Sequence, residues 1–297
     1  MELPVYAQFH ALERGHWWFR GMRDLGHRML ALAPPGGGRC LDVGCGTGLW
    51  TRQLERYGPV VALDFEREAL RFSRDRGVRA LVRGGAERLP FRDGSFRLVT
   101  ALGLIEHLDD DAAFLREIRR VLEPGGRLLL LTSAYRFLWS RHDDLVHHRR
   151  RYLGGELDVR IRSAGLELVH RSHANALLLA PIVLVRVVRR LLSSGRPAAE
   201  GGASPDFYLP PRPVNQFLEG ILLLESRLAT GVGLPFGVGL VALARRPAEE
   251  VCPPAVRRRT LPSDLASAFR RAPLAARLRI VGRWFLCPFA AVLPHLP

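Results

Sequence analysis

The sequence predicts an α/β fold in which helices cover both faces of an open, doubly wound and mostly parallel β-sheet. Two observations lead to this prediction. Short apolar runs alternate with segments of helical spacing over residues 36–173, as in chains built from βαβ units. A glycine-rich turn also follows the first apolar run, within Cys40–Gly48. We expect strands ending at Val43 and at 60–63, 78–82, 96–102, 127–132, 166–173 and 239–244.

Helices are expected between these strands and at the amino end of the chain. Leu3, Tyr6, Phe9 and Leu12 recur at helical spacing, so we interpret residues 1–33 as a helical cover over the sheet. The other helices that precede or separate the strands are expected at 49–57, 65–76, 109–122 and 153–164.

The turn after the first strand has the pattern G-x-G-x-G, formed by Gly44, Gly46 and Gly48 and preceded by Asp42. Glycine has no Cβ, so the backbone of such a turn can come very close to a ligand. The spacing differs from the G-x-G-x-x-G of dinucleotide enzymes, which disfavours an NAD-dependent oxidoreductase. The alternative interpretation is an ordinary tight turn of an α/β domain.

An acid, Asp64, closes the second predicted strand. A carboxylate at this position can accept hydrogen bonds from both ribose hydroxyls of a nucleoside. The same residue suits the N-cap of the helix predicted at 65–76, and the two roles are compatible.

Three further segments, Gly84–Phe91, Ile105–Leu108 and Pro124–Gly126, extend this pattern. With the glycine turn they resemble class I S-adenosylmethionine (SAM) methyltransferases, in order and spacing, over roughly residues 36–164. The resemblance implies a Rossmann-like sheet of seven strands with the last strand antiparallel, and SAM as the cofactor. One position departs from the family pattern: Gly85 stands where an Asp usually contacts the adenine amino group.

The resemblance also implies where the cofactor binds. The three glycines of the turn would admit the methionine part, Asp64 the ribose, and Ala86 with Glu87 the adenine edge. The predicted cofactor-binding residues are Arg20, Asp42, Gly44, Cys45, Gly46, Gly48, Asp64, Phe65, Ala86, Glu87 and Leu104.

The segment His16–Arg20 is unusually rich in aromatic residues and has polar ends. One interpretation is a helix that packs against the sheet. The other is a cover over the bound cofactor, with Arg20 or Arg23 near the cofactor carboxylate. The two interpretations are compatible.

Histidines, acids, arginines and aromatic residues are concentrated in Tyr135–Asp144 and His147–Tyr152. This stretch follows the carboxyl end of a strand, where ligands bind in open α/β sheets. It could be a solvated charged loop, but the interleaved aromatic residues favour a loop anchored against something. It also resembles a bacterial methyltransferase subgroup associated with glycan and lipid-glycan pathways. The candidate general bases are His107 first, then His142 and His147.

We predict no metal at this site. The ubiquinone-type O-methyltransferases that the chain resembles place a metal near the equivalents of Glu106 and His107, with a further Glu three residues earlier. Gly103 occupies that earlier position in this sequence.

Roughly sixty residues separate the last two predicted strands, far more than a hairpin loop needs. We expect a helical insertion at about 177–235, with an apolar, Arg-bearing helix at 177–192 and an amphipathic helix at 214–230. The insertion could dock on an anionic membrane surface or cover a lipid-linked acceptor; the alternative is a dimerisation cap or an ordinary extra helical layer. We expect the catalytic domain to span 1–247, followed at 248–297 by a basic linker and helical tail that resembles the opening of another domain.

The composition is ordinary for a globular protein, except for a net charge of +15 in which all 44 basic residues are Arg. This charge suits nucleic acid, anionic lipid or an acidic substrate. None of the catalytic tetrapeptides of nucleic-acid amino-methylating enzymes is present, so nucleic acid is disfavoured. The four cysteines show no C-x-x-C spacing and favour reduced thiols in a cytoplasmic protein, soluble or peripheral at a membrane.

These observations predict SAM-dependent methyl transfer to an oxygen of a small-molecule or lipid- or glycan-linked acceptor. The alternative is an inactive methyltransferase-like binding module that acts as a membrane or enzyme partner. Gly85 and Gly103, each in place of an expected acid, favour the alternative.

Overall fold

The computed structural model describes residues 3–192 and 208–248. Within them, seven strands form one sheet in the order β3-β2-β1-β4-β5-β7-β6. The strands β1 to β5 are parallel, and β7 runs antiparallel between β5 and β6. This confirms the predicted fold class. The strands are β1 Cys40–Val43, β2 Val60–Asp64, β3 Ala80–Arg83, β4 Phe96–Leu102, β5 Leu122–Ser133, β6 Glu167–Ala174 and β7 Gly239–Arg245.

Helices cover both faces of the sheet, as the alternating pattern predicts. Two short 3₁₀ turns, Ile105–His107 and Arg136–Leu138, follow β4 and β5. The α-helices are α1 Leu3–Leu12, α2 Trp17–Leu32, α3 Leu49–Leu54, α4 Arg67–Asp75, α5 Asp111–Val121, α6 Arg141–Leu145, α7 Gly154–Ser163, α8 Leu179–Leu192 and α9 Arg212–Gly231.

One face of the sheet is covered by α5 and α7, which bury apolar residues at helical spacing. Phe114, Leu115 and Ile118 of α5 pack with Leu157 and Ile161 of α7 over the central strands. The α5 helix begins where the Asp110 side chain accepts a hydrogen bond from the Ala113 N–H at 2.8 Å, an N-cap that satisfies one of the free donors of the first turn.

The opposite face is covered by α2, α3 and α9. Met29, Trp50 and Leu222 belong to its buried cluster. The aromatic-rich segment contributes through Trp17 and Trp18, which pack partly buried against the same cluster. The packing interpretation of this segment therefore holds for its two tryptophans.

The helical insertion lies between β6 and β7, as predicted, and α9 is fastened to the N-terminal helices. Asn215 accepts a hydrogen bond from the Trp17 N–H at 3.0 Å and donates one to the Gly15 carbonyl at 2.9 Å. Arg20 pairs with Glu219 at 2.8 Å. Two segments about two hundred residues apart in sequence are thus held side by side.

The structure differs from the sequence prediction in two elements. The predicted helix over residues 1–33 is two helices, because the chain turns between Leu12 and Trp17. Strand β5 begins at Leu122 rather than at residue 127, because Phe96 of β4 pairs with Leu122 before the register shifts. Within residues 3–192 and 208–248, no helix is long and apolar enough to cross a bilayer. The predicted tail, 248–297, lies almost wholly outside the described residues, and the domain boundary stays a prediction.

Candidate active site

The carboxyl ends of β1, β2, β4 and β5 meet at one edge of the sheet and bring the predicted site residues to it. Gly44, Gly46 and Gly48 have φ angles of +73°, +54° and +84°, a region that favours glycine. A Cβ at Gly44 would lie 2.9 Å from the Leu104 side chain, and one at Gly48 would lie 2.7 Å from Ser73. At these two positions, only glycine fits the turn.

Asp42 supports this turn from beneath. Its buried carboxylate accepts hydrogen bonds from the hydroxyls of Thr51 and Thr100, at 2.6 and 2.7 Å. Thr100 in turn accepts one from the Trp50 indole at 3.2 Å. Burial raises the pKa of Asp42 to about 6, against the opposing effect of the two hydroxyls. Asp42 thus ties β1 to α3 and β4.

Asp64 sits beside the turn and holds it from the side. One carboxylate oxygen accepts the Gly46 N–H at 3.0 Å and the other accepts the Glu66 N–H at 2.9 Å. Burial raises the pKa of this carboxyl, while the two backbone donors oppose the shift. Each carboxylate oxygen can accept a second hydrogen bond, so Asp64 retains capacity for a ligand hydroxyl. Phe65, the next residue, is exposed. Cys45 is buried, and its Sγ lies 3.6 Å from the Ser73 Oγ.

The N-terminal cover is joined to the glycine turn through Glu13. The Thr47 hydroxyl, within the turn, donates a hydrogen bond to the Glu13 carboxylate. Arg76 pairs with the same carboxylate at 2.5 Å, and Arg23 donates to the Glu13 carbonyl at 2.6 Å. Burial raises the pKa of Glu13, which Thr47 and Arg76 oppose. Glu13 lies between two helices, where no sequence pattern distinguished it.

Of the two arginines proposed for the cofactor carboxylate, Arg23 contacts Glu13, which binds Thr47 of the turn, and Arg20 pairs with Glu219 on α9. On α1, Tyr6 is buried, and its pKa is raised by burial and then by the charges of Asp64 and Glu66. The cover therefore extends from the glycine turn to the end of β2.

The loop predicted to contact adenine follows β3. Ala86 is buried, and one Glu87 oxygen accepts the Asp110 N–H at 2.8 Å. A Cβ at Gly85 would meet no atom within 4 Å, and the same holds at Gly46 and Gly103. The backbone at all three glycines therefore borders open space at the carboxyl edge of the sheet. This arrangement fits a nucleoside ligand held between the glycine turn, Asp64 and this loop.

Three histidines gather on the acceptor side, after β4 and β5. The ring of His148 lies 4.7 Å from that of His107 and 6.0 Å from that of His142, both edge to face. His147 is exposed, with a φ of +60°, and its neighbour His148 joins the cluster instead. Burial lowers the pKa of His107 to about 4, with the Glu106 charge opposing and His148 adding to the shift. His107 is therefore neutral at pH 7 and a weaker base than a free imidazole.

A fully buried acid, Asp143, organises the histidine cluster. It accepts hydrogen bonds from His148 Nδ1 at 2.7 Å, from the Ser140 N–H at 2.7 Å, and from Arg151 at 2.8 and 3.0 Å. Arg151 also donates to the Ala134 carbonyl at the end of β5, at 3.0 Å. Burial alone would raise the pKa of Asp143, but His148 and Arg151 lower it well below its usual range. The S-x-x-D spacing of Ser140 and Asp143 is a capping-box signal that could have identified it.

Glu106 also serves the local structure. Its buried carboxylate accepts from the Thr132 hydroxyl at 2.8 Å and from the Ser133 N–H at 3.2 Å. Among the residues that the structure describes, no group of three or more His, Cys, Asp or Glu side chains could hold a metal ion. Metal independence stays a prediction.

A family model described as a methyltransferase domain matches residues 41–130. A demethylmenaquinone methyltransferase of Lactiplantibacillus plantarum is 39% identical over 105 residues, which cover 32% of this chain and 44% of that protein. A protein of the same name from Staphylococcus aureus is 35% identical over 126 residues, which cover 40% of this chain and 49% of that protein. The chain spans about half the length of the curated relatives it matches.

Solved structures share the fold at lower identity. A chain of the complex between the Haloferax volcanii Trm112 methyltransferase activator and the putative methyltransferase has a TM-score of 0.52 at 20% identity, covering 82% of this chain and 97% of that one. A putative methyltransferase from Bacillus halodurans has a TM-score of 0.50 at 21% identity, covering 75% and 99%.

Replacing Asp143 by Asn should destabilise the fold near pH 7 by about 3–5 kcal/mol, because Arg151 would keep a buried charge without its partner. Asp144→Asn on the same helix is the control, since Asp144 is exposed and the change should stay within about 0.5 kcal/mol. Urea denaturation measures both.

The pH dependence of the same variant is a second readout. Because the folded pKa of Asp143 is lowered, its contribution is present above the unfolded value of about 3.9 and is lost as the pH falls through the folded value. The difference in the free energy of unfolding between the parent and Asp143→Asn should therefore become smaller below about pH 4. Equal free energies of unfolding for the two proteins at neutral pH would contradict the hydrogen-bond network assigned to Asp143.

Proposed function

We propose that the chain carries a class I SAM-dependent methyltransferase domain and transfers the methyl group of SAM to an oxygen of a small-molecule or lipid- or glycan-linked acceptor. The observation that carries the proposal is the geometry of the glycine turn. Left-handed glycines, a buried acid that binds the Gly46 N–H, and open backbone at Gly46 and Gly85 occur at one edge.

The residues that would hold the cofactor follow from this geometry. The turn from Gly44 to Gly46 would accommodate the methionine part and Asp64 the ribose hydroxyls. The loop at Gly85–Glu87 would take the adenine. Because Glu87 already caps α5 with one oxygen, backbone groups at Gly85 and Ala86 are the better candidates for the adenine amino group. The cover residues Glu13 and Arg23 would close over the methionine end.

When bound, SAM supplies an electrophilic methyl group, so that positioning of the acceptor provides much of the acceleration. The chain's own task is to orient an acceptor hydroxyl and to receive its proton. His107 is our first candidate for the second task, because its position after β4 places it in the histidine cluster; burial leaves its ring neutral at pH 7 but also makes it a weaker base than a free imidazole. His142 is the next candidate. His147 is exposed and lies outside the cluster.

A binding module without activity is the second candidate function. Two features favour it: Gly85 has no carboxylate for the adenine amino group, and Glu87 already accepts a hydrogen bond from the Asp110 N–H before α5. The relatives named as demethylmenaquinone methyltransferases favour an enzyme, and they suggest an acceptor with an apolar part.

The insertion supports a peripheral association with lipid. Leu184, Val185, Val187 and Val188 on α8 are each more than 40% exposed. An apolar helix of 14 residues is too short to span a bilayer, but it suits a helix lying at the interface. We propose that α8 docks on an anionic membrane surface near the acceptor side, which also fits the net charge of +15.

Removal of the Asp64 carboxylate should weaken binding of S-adenosylhomocysteine. Asp64→Ala should cost on the order of 1.5–3 kcal/mol, the range for a hydrogen bond to a charged group. Isothermal titration calorimetry gives the affinity, and Asp93→Ala, an exposed acid paired with Arg120, should bind as the parent does. Equal affinity of parent and Asp64→Ala would show that the ribose lies elsewhere. Binding without methyl transfer to any acceptor would favour the binding module.

Sedimentation with vesicles tests the role of α8. The parent should bind vesicles of phosphatidylcholine and phosphatidylglycerol, more strongly as the anionic fraction rises and more weakly as salt rises. The double variant Leu184→Ser, Val188→Ser should lose this binding. The control is Val159→Ser on α7, a residue that is also exposed, at 62%. Unchanged vesicle binding by the double variant would remove α8 from the membrane contact.

A further inference from the structure

A cleft of about 530 Å³ opens at the carboxyl edge of the sheet, and neither the cofactor residues nor the histidine cluster lines it. It lies at the carboxyl ends of β5 and β6, between the start of α7 and the loop that leads from α9 to β7. Its lining residues are Tyr135, Gly154, Gly155, Arg171, His173 and Val232–Pro235.

Two stacked rings form the polar floor of the cleft. The rings of Tyr135 and His173 lie 5.5 Å apart with planes within 8° of parallel. His173 Nδ1 is 2.9 Å from the Leu234 carbonyl oxygen, and Nε2 is 3.1 Å from the Tyr135 hydroxyl. Because a carbonyl only accepts hydrogen bonds, Nδ1 carries the proton of the neutral ring and Nε2 accepts from the Tyr135 hydroxyl.

This arrangement leaves the Tyr135 oxygen as an acceptor. Its one proton is engaged with His173, so its lone pairs are available to a hydroxyl donor in the cleft. His173 is buried, and burial lowers its pKa, which keeps the ring in the neutral form.

The backbone at Tyr135 is held in an uncommon conformation, with φ +56° and ψ 112°. Such a conformation in an aromatic residue persists only where the surroundings fix it, and it is found more often at ligand sites. The Tyr135 N–H is fixed by the Tyr152 carbonyl at 3.1 Å. In this conformation the ring of Tyr135 stacks on that of His173.

Arg171 does not make the cleft an anion site. Its Nε lies 2.9 Å from a carboxylate oxygen of Asp158, and its guanidinium packs so closely on Gly154 that a Cβ there would overlap it. The two charges lie close together but are not aligned as a hydrogen bond, and an anionic ligand would compete with Asp158. The floor favours a neutral, hydroxyl-bearing group.

Exposed apolar residues lie next to the residues that line the cleft. Phe137, whose ring lies 5.4 Å from that of Tyr135, is 60% exposed, and Leu153, adjacent to Gly154, is 55% exposed. Val232 lines the cleft and is 86% exposed, and Phe236, the residue after the lining residue Pro235, is 53% exposed. A polar floor beneath an apolar rim is complementary to a ligand with a polar head and an apolar chain.

We propose that this cleft is a second ligand site, which binds a neutral amphiphile. Its neutral, hydroxyl-bearing head donates a hydrogen bond to Tyr135, and its apolar chain lies on the rim formed by Phe137, Leu153, Val232 and Phe236. This binding does not depend on the proposed methyl transfer, so the two proposals can fail separately.

Calorimetry with n-octyl β-D-glucopyranoside below its micelle concentration tests the cleft. Methyl β-D-glucopyranoside supplies the head without the chain, and octanoate supplies a chain with an anionic head. Octyl glucoside should bind at least tenfold more tightly than either. Gly155→Leu should weaken its binding at least tenfold by filling the cleft, because a Cβ at Gly155 meets no atom within 4 Å and the fold can accept it.

Tyr135→Phe removes only the hydroxyl and should weaken octyl glucoside about fivefold, the effect of one neutral hydrogen bond of about 1 kcal/mol. Gly220→Leu is the matched control, since Gly220 on α9 also faces open space, and it should bind as the parent does. Equal octyl glucoside affinity in the parent, Gly155→Leu and Tyr135→Phe would overturn the proposal, as would no binding to the parent or tighter binding of octanoate.

S-adenosylhomocysteine affinity, measured in the same samples, separates the two claims. It should be unchanged in all three variants. If the parent binds S-adenosylhomocysteine but not octyl glucoside, the proposed cleft ligand is refuted and the proposed methyl transfer stands. Absence of S-adenosylhomocysteine binding in the parent would refute the proposed methyl transfer, whatever octyl glucoside does.

Discussion

The hydrogen bond from the Gly46 N–H to the Asp64 carboxylate is the contact on which the cofactor side of this structure depends. It joins the turn after β1 to the end of β2, so that a left-handed glycine backbone and an acid face the same space. The contact requires a buried carboxylate, and burial raises the pKa of Asp64 against the effect of its two backbone donors. A ligand hydroxyl that donates to Asp64 would compensate for part of this desolvation.

The surrounding structure keeps that contact in place from three directions. Asp42 fixes the turn to α3 and β4 through two threonine hydroxyls. Glu13 attaches the N-terminal cover to the turn through Thr47, and α9 holds the cover through Asn215. The insertion thus stabilises the cofactor side indirectly, while its other helix, α8, presents apolar residues outward. The insertion therefore has two roles: α9 holds the N-terminal cover in place, and α8 forms an exposed apolar surface.

The sequence was sufficient for the fold class and for the backbone of the site. The glycine turn and Asp64 follow from spacing that a short window contains, whereas the seven-stranded sheet with its antiparallel last strand was implied by the resemblance to class I methyltransferases. Side-chain partners across the fold could not be predicted in this way. Arg20 pairs with Glu219 on α9, and nothing near residue 20 indicates a partner about two hundred residues away. His148 rather than His147 joins the histidine cluster because the backbone at His147 takes a φ of +60°, which directs the adjacent side chain inward to Asp143. The Tyr135–His173 pair likewise joins two strand ends that only the sheet order brings together.

A crystal structure of the chain with S-adenosylhomocysteine tests the central claim most directly. We predict that both ribose hydroxyls lie within hydrogen-bond distance of the Asp64 carboxylate, at about 2.5–3.0 Å, with the homocysteine part against Gly44–Gly46. The adenine should lie against the loop at Gly85–Glu87. A ligand bound away from the glycine turn, or a ribose that makes no contact with Asp64, would contradict the account.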